Sequence, residues 1–153
     1  MIHKIQLLTS PEEVQRLYAF IRQFPLDYPD YFAWLEKCRR QLELKEKKAF
    51  YATALDNEII GDLIFQNLKG SQNVLEIKNF RVAQTHQRFG VGSALESMLY
   101  SFAKSTGFKR IQVDTHQDNL EMIQFLIKRG YNPEAQAYLY TLNKSEVILS
   151  KSL

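Results

Sequence analysis

Apolar positions follow two spacings along this chain, and the switches between them mark its elements. Residues 2–9 read as a first strand, with Ile5 and Leu7 on one face. Ser10-Pro11-Glu12-Glu13 then starts a helix, with Ser as N-cap, Pro in the first turn and carboxylates where the dipole favours them. Val14, Leu17, Tyr18, Ile21 and Phe24 form a stripe at helical spacing, which Pro25 and Pro29 break. Tyr31, Leu35, Cys38 and Leu42 predict a second helix. Residues 49–55 and 59–67 read as paired strands around an Asp56-Asn57-Glu58 turn. Gly61, inside the second of them, points to a bulge or to tight packing.

The pattern says most between Val74 and Ser105. Leu75 and Ile77 put apolar side chains on odd positions, whereas Phe80 and Val82 put them on even ones. Side chains in a strand alternate strictly, so the change of phase predicts one extra residue, a β-bulge near residues 78–80. Such a bulge splays the strand from a neighbour and frees backbone groups for a ligand. A polar turn follows, and Gln87, Gly90 and Gly92 open an amphipathic helix expected to bury Ala94, Leu95, Met98, Leu99 and Phe102, with Gly107 as its C′ residue. The first N–H groups of a helix have no intrahelical partner and carry partial positive charge, which suits a phosphate. Glycine there removes the Cβ that would hold the anion away.

Residues 110–115 predict a strand with Ile111 and Val113 on one face. Asp118 or Asn119 can cap a helix bearing Met122, Ile123, Leu126 and Ile127, which Gly130 ends. Residues 135–142 read as a strand and residues 146–149 as a short partner for it. The order β-α-α-β-β-β-α-β-α-β, with that last strand, predicts an α/β chain with a mixed, mostly antiparallel sheet and helices on both faces.

Composition narrows this further. With 153 residues and 45% hydrophobic content, the chain suits one domain, 1–153, with one core. It has no apolar run long enough to span a membrane, and its first residues do not form a secretory signal. Lone Cys38 cannot make an internal disulfide and reads as a core residue, so a cytoplasmic protein is expected. The net charge of +3 is mild. Its densest basic run, Lys37, Arg39, Arg40, Lys45, Lys47 and Lys48, is interleaved with Glu36, Glu43 and Glu46 and reads as a solvated face rather than a nucleic-acid surface. His3, His86 and His116 share no metal-ligand spacing, so no metal is expected. There is no G-x-S-x-G elbow.

Gln87-x-x-Gly90-x-Gly92 on a strand–turn–helix resembles the pyrophosphate-binding motif of the GNAT superfamily, the acyl-CoA-dependent N-acyltransferases. Val82 stands five residues before Gln87, where that family keeps an apolar residue along the pantetheine arm. Asn119, followed eleven residues later by Gly130 and then Tyr131, is similar to the family's N…GF segment. The motifs span about Val74 to Tyr131, and element order carries the likeness beyond them.

The resemblance implies the GNAT fold and transfer of an acetyl group from acetyl-CoA to a primary amine by direct attack, without a metal. It places the coenzyme against Phe80, Val82, Gln87, Arg88, Phe89, Gly90, Val91, Gly92, Ser93 and Asn119. The Val82 N–H would face the thioester carbonyl as an oxyanion donor. Glu76, eleven residues before Gln87, resembles the catalytic glutamate of the histone-acetylating branch and is the candidate base; its other reading is the polar side of a half-buried strand. Many members carry a tyrosine acid seven residues after the Asn. Here that position is Leu126, which leaves Tyr138, Tyr140 or His116 as donors. Tyr28, Asp30, Tyr31, Trp34, Tyr138 and Tyr140 are the expected substrate wall, open to a small-molecule or a peptide amine. Homodimers are common in the family, but no residue here fixes an interface. A non-catalytic CoA-binding or regulatory module is the second reading, and a phosphate-reading nucleic-acid domain the third.

Overall fold

A computed structural model describes residues 4–153. The elements run β1 (Lys4–Leu7), α1 (Pro11–Arg22), α2 (Tyr31–Glu43), β2 (Lys48–Thr53), β3 (Ile59–Asn67) and β4 (Val74–Val82). A single 3₁₀ turn, Gln84–His86, leads into α3 (Val91–Ser105), β5 (Arg110–His116), α4 (Leu120–Lys128), β6 (Asn132–Ala137) and β7 (Glu146–Ser152). The strands form one mixed sheet in the order β1-β2-β3-β4-β5-β7-β6. The α/β architecture read from the sequence is therefore the one observed. Ile2 and His3, included in the expected first strand, lie outside the described residues.

The chain divides into two compact units, one holding the residues up to Gln66 together with Lys78–Leu99, the other Asn67–Ile77 and Tyr100–Leu153. In the first, β1, β2 and β3 pair antiparallel, with Tyr51 of β2 opposite Asp62 of β3. Val14, Leu17 and Ile21 of α1 and Leu35, Cys38 and Leu42 of α2 pack with Ala49, Tyr51 and Ile64 in one cluster. The α1 start behaves as its sequence predicts: the Ser10 hydroxyl accepts from the Glu13 N–H, and Glu13 accepts from the Ser10 N–H. The opposite face of β3 meets α3. A Cβ built on Gly61 would lie 3.0 Å from the Arg81 carbonyl oxygen and 3.2 Å from both Val91 and Leu95. Both expected causes are present at that glycine: the tight packing, and a shift of the β2–β3 register beside it, where Ala52 pairs with Gly61 but Thr53 with Ile59.

β4 carries the expected extra residue. The Leu68 N–H donates to the Val74 carbonyl and the Ala83 N–H to the Ile60 carbonyl. Val74 to Ala83 is nine steps, whereas Ile60 to Leu68 is eight, so β4 holds one residue more than β3 between these bonds. A regular antiparallel ladder keeps the two counts equal. The apolar phase change has a second cause. Burial continues on odd positions from Leu75 and Ile77 to Asn79, a buried polar residue where the pattern called for an apolar one.

In the second unit, β4 pairs parallel with β5 over Val74–Ile77, and β5 pairs antiparallel with the whole of β7. β7 is longer than its expected 146–149 and lies between β5 and β6, which explains its burial. β6 is displaced from the expected 135–142 to Asn132–Ala137, because its pairing with β7 ends at Ala137 opposite Glu146. Tyr138 and Tyr140, expected on a strand, therefore sit in the connection after it. Pro133 is tolerated because β6 is an edge strand. In α4 only Leu126 is fully buried, and Ile127, expected inside, is exposed. Met98 of α3 is likewise exposed, the buried row being Val91, Leu95, Leu99 and Ala103 at a spacing of four. Gly61→Ala is expected to destabilise the protein by about 1–3 kcal/mol through overpacking. Urea unfolding of the variant against the parent measures it.

Candidate functional site

The expected cofactor residues from Phe80 to Ser93 all belong to the first unit. Phe80 and Val82 are half-buried on β4. The Gln87 side-chain amide donates to the Val82 carbonyl at 3.1 Å, which ties the turn back to the strand it follows. Arg88 has φ 68° and Gly90 φ 82°, left-handed backbone of the kind that recurs in anion-binding nests. A Cβ at Gly90 would meet nothing within 4 Å, so glycine is needed there for conformation and leaves open space. Phe89 is exposed, whereas the Val91 side chain is core. The Ala94 N–H donates to the Gly90 carbonyl at the start of α3, and Val91, Gly92 and Ser93 form its first turn.

Beneath β4 the same unit holds a buried polar chain. The Tyr31 hydroxyl donates to Asn79 Oδ1 at 3.1 Å, and Asn79 Nδ2 donates to Asp62 Oδ2 at 2.9 Å. Asp62 is 0% exposed. Burial pushes its carboxyl up to about 7, against smaller opposing effects of the Asn79 hydrogen bond and the Arg81 charge. Asp62 Oδ1 and Arg81 Nε are both buried without a hydrogen-bond partner. Tyr31, expected on the substrate wall, is instead a core residue stacked on Trp34, and burial and the Asp62 charge keep its hydroxyl protonated.

The second unit holds Glu76, Asn119, Tyr138 and Tyr140. Glu76 lies opposite Gln112, so it shares a face with Asp114 and His116 of β5 and, through the β5–β7 register, with Glu146. His116 pairs with the buried Glu146 directly across the two strands. The Tyr140 hydroxyl donates to Asp114 Oδ2 at 3.0 Å. Partial burial, then Asp114, Glu76 and Glu146, raise the Tyr140 pKa well above that of an ordinary phenol. Tyr138 is exposed. Asn119 caps α4, its Oδ1 accepting from the Met122 N–H at 3.2 Å. Leu126, at the position of the missing tyrosine, is buried core. In the basic run, Arg39 is held by Glu36 and Glu43 of its own helix, and Lys47 is buried. Among the described residues, no three metal-ligating side chains gather at a site.

The sequence model of the Acetyltransferase (GNAT) family matches residues 13–131, and the chain belongs to that family. The superfamily expected from the glycine turn is thus the observed one. A GNAT-family structure from Desulfovibrio desulfuricans superposes with a TM-score of 0.85 at 14% identity, covering 99% of each chain. The ribosomal-protein-S18-alanine N-acetyltransferase of Escherichia coli gives 0.80 at 19%, over 99% of this chain and 94% of that one. Ard1 from Thermoplasma volcanium gives 0.80 at 20%, over 100% and 99%. In all, 559 solved chains match, so the likeness is to a widely used fold. No curated protein sequence matches the chain.

Asp62, Asn79, Arg81, Asp114 and Glu146 are absent from the sequence-derived site. Two of them left a signal: Asp62 is the lone charge in the apolar run IIGDLIF, and Asn79 interrupts the odd apolar phase of β4. Asp62 also makes a stability prediction. Its folded pKa lies above the unfolded value, so between about pH 4 and pH 7 the folded state holds a proton that the unfolded state has released. Stability falls as pH rises through that window, by on the order of a few kcal/mol, and the penalty persists above it. Asp62→Asn is expected to raise the melting temperature at pH 8 and to change it little at pH 4, as thermal unfolding at both pH values measures.

Proposed function

We propose that this chain is an N-acetyltransferase that transfers an acetyl group from acetyl-CoA to a primary amine by direct attack. The observation carrying this reading is the Gln87–Ser93 turn, with Arg88 and Gly90 in left-handed backbone at the N-terminal end of α3. Family membership supports it, since GNAT acetyltransferases use acetyl-CoA. In this reading the pyrophosphate sits on the turn with Arg88 and Phe89 at its rim. Phe80 and Val82 accompany the pantetheine arm, Asn119 contributes beside it, and the Val82 N–H stabilises the oxyanion.

On the amine side, Glu76 accepts a proton from the attacking nitrogen. An alkylammonium with pKa near 10 needs such a base at neutral pH. The shared face of Glu76 and Asp114 suits a cationic acceptor, small molecule or peptide, with Tyr138 and Tyr140 beside it. Tyr140 holds its proton too tightly to be a strong acid. Its part is to donate a hydrogen bond, and a thiolate with an ordinary pKa of about 8.5 leaves without full protonation. A cytoplasmic location goes with this reading, on the lone buried Cys38; among the described residues, no helix is long and apolar enough to cross a membrane.

Leu126, in place of the family's tyrosine, favours the second reading, a CoA-binding module without turnover. Calorimetry with acetyl-CoA, followed by an amine screen reading free thiol, separates the two. The enzyme is expected to bind acetyl-CoA and release thiol with an accepted amine. Glu76→Gln should lower turnover at pH 7 by about 10²-fold and regain part of it at high pH, where the amine deprotonates unaided. Binding without thiol release for any amine supports the module, and no heat with CoA or acetyl-CoA overturns both.

A further inference from the structure

The Asp62–Asn79–Tyr31 chain has no part in the chemistry above, yet it is fully buried and ends under the strand assigned to the thioester. Asn79 lies in the stretch of β4 that accommodates the extra residue, three positions before Val82. Its side-chain amide is fixed at both ends, by Tyr31 of α2 and Asp62 of β3. Two buried atoms stand unsatisfied beside it, Asp62 Oδ1 and Arg81 Nε. Arg81 is the immediate neighbour of Val82, and its charge acts on Asp62.

The neutral carboxyl suits the arrangement observed, in which a single oxygen is used. An ionised carboxylate has no solvent here and would draw the Arg81 guanidinium toward the orphaned Oδ1, moving the backbone next to Val82. We propose that Asp62 is a positioning residue for acetyl-CoA: through Asn79 and Arg81 it sets the β4 backbone that receives the thioester, and its neutral form holds the binding geometry. The inference rests on the acetyl-CoA reading of the glycine turn.

The other titratable groups facing Asp62 are Tyr31 and Cys38 of α2, Arg81 of β4, and Tyr51 of β2 with Glu13 of α1 hydrogen-bonded behind it. Burial holds both Cys38 and Tyr51 at about 12, with the Glu13 hydrogen bond adding to the latter. Glu13 is at about 2, burial being outweighed by hydrogen bonds from Tyr51, Thr9 and Ser10. Glu13, Tyr31, Cys38 and Tyr51 keep their charge states between pH 6 and pH 8.5.

Calorimetric titration of the full chain with acetyl-CoA at pH 6 and pH 8.5 tests the proposal. The parent is expected to bind about tenfold more weakly at pH 8.5, and Asp62→Asn, which keeps an acceptor for Asn79, to bind equally at both. Comparison of the two profiles removes every pH-dependent contribution that both proteins share, that of the cofactor's own phosphates included. By linkage, acetyl-CoA should also raise the pH midpoint at which the Asn79 side-chain amide signal shifts in the parent, a displacement that a merely structural carboxyl would not show. The same pH dependence in both proteins, or a midpoint unmoved by acetyl-CoA, overturns the positioning role while leaving cofactor binding intact. An absence of heat in both proteins at both pH values overturns the cofactor reading and this inference together.

Discussion

Strand β4 has to satisfy two counts at once. Its side chains must alternate, and its backbone must pair with β3 while carrying one residue more than β3 does over the same stretch. The extra residue disturbs the ladder, so neighbouring groups have to hold the strand in place. Gly61 admits the Arg81 carbonyl and α3 at close range, the Ala83 N–H closes on Ile60, and Gln87 reaches back to the Val82 carbonyl. These contacts fix where β4 ends, and hence where the glycine turn and α3 begin. A Cβ at position 61 would press on both the strand and the helix, so the packing of one small residue supports the junction of β4 with α3.

The parts of the fold that follow from local chemistry could be read from the sequence. Ser10 to Glu13 carried its own capping box, Gly90 its positive φ, and the α1 and α2 stripes their buried faces. The errors came where long-range pairing decides. Residues 138–142 are apolar enough to read as strand, yet the β6–β7 register closes at Ala137 opposite Glu146 and leaves Tyr138, Leu139, Tyr140 and Leu142 exposed in a connection. Met98 and Ile127 fit helical stripes but sit at their edges, because each helix covers a narrower face than its apolar positions suggest. The bulge was inferred from a phase change that has two causes, an added residue and a polar side chain buried at Asn79.

The candidate site was legible as a motif and hidden as a network. Glycine spacing announces a turn because backbone conformation restricts which residues can stand there. No comparable rule announces that Asp62 and Asn79 will meet, or that Asp114 will meet a tyrosine 26 residues away. Such pairs depend on register, and a one-residue slip sends a side chain to the opposite face. Glu76 was assigned from its offset to Gln87, but its neighbours Asp114 and Glu146 come from β5 and β7 and became visible only through the pairings.

Two carboxylate environments divide the work electrostatically. Asp62 is sealed from water, accepts one hydrogen bond and is held near neutrality. The face of Glu76, Asp114 and Glu146 instead sets several acids near a partly exposed phenol, whose pKa is raised first by burial and then by their charge. Like charges set close together are unfavourable on their own and become favourable when a cation lies among them. The same field opposes forming a second anion at Tyr140. Under the proposed transfer to an amine, a residue in that position would serve the incoming amine better than the departing thiolate, whose own acidity makes a proton donor dispensable. Leu126, standing where the resemblance leads one to expect a tyrosine, fits that proposal, in which recognition of the cation and not protonation of the leaving group would place the stronger demand on the side chains.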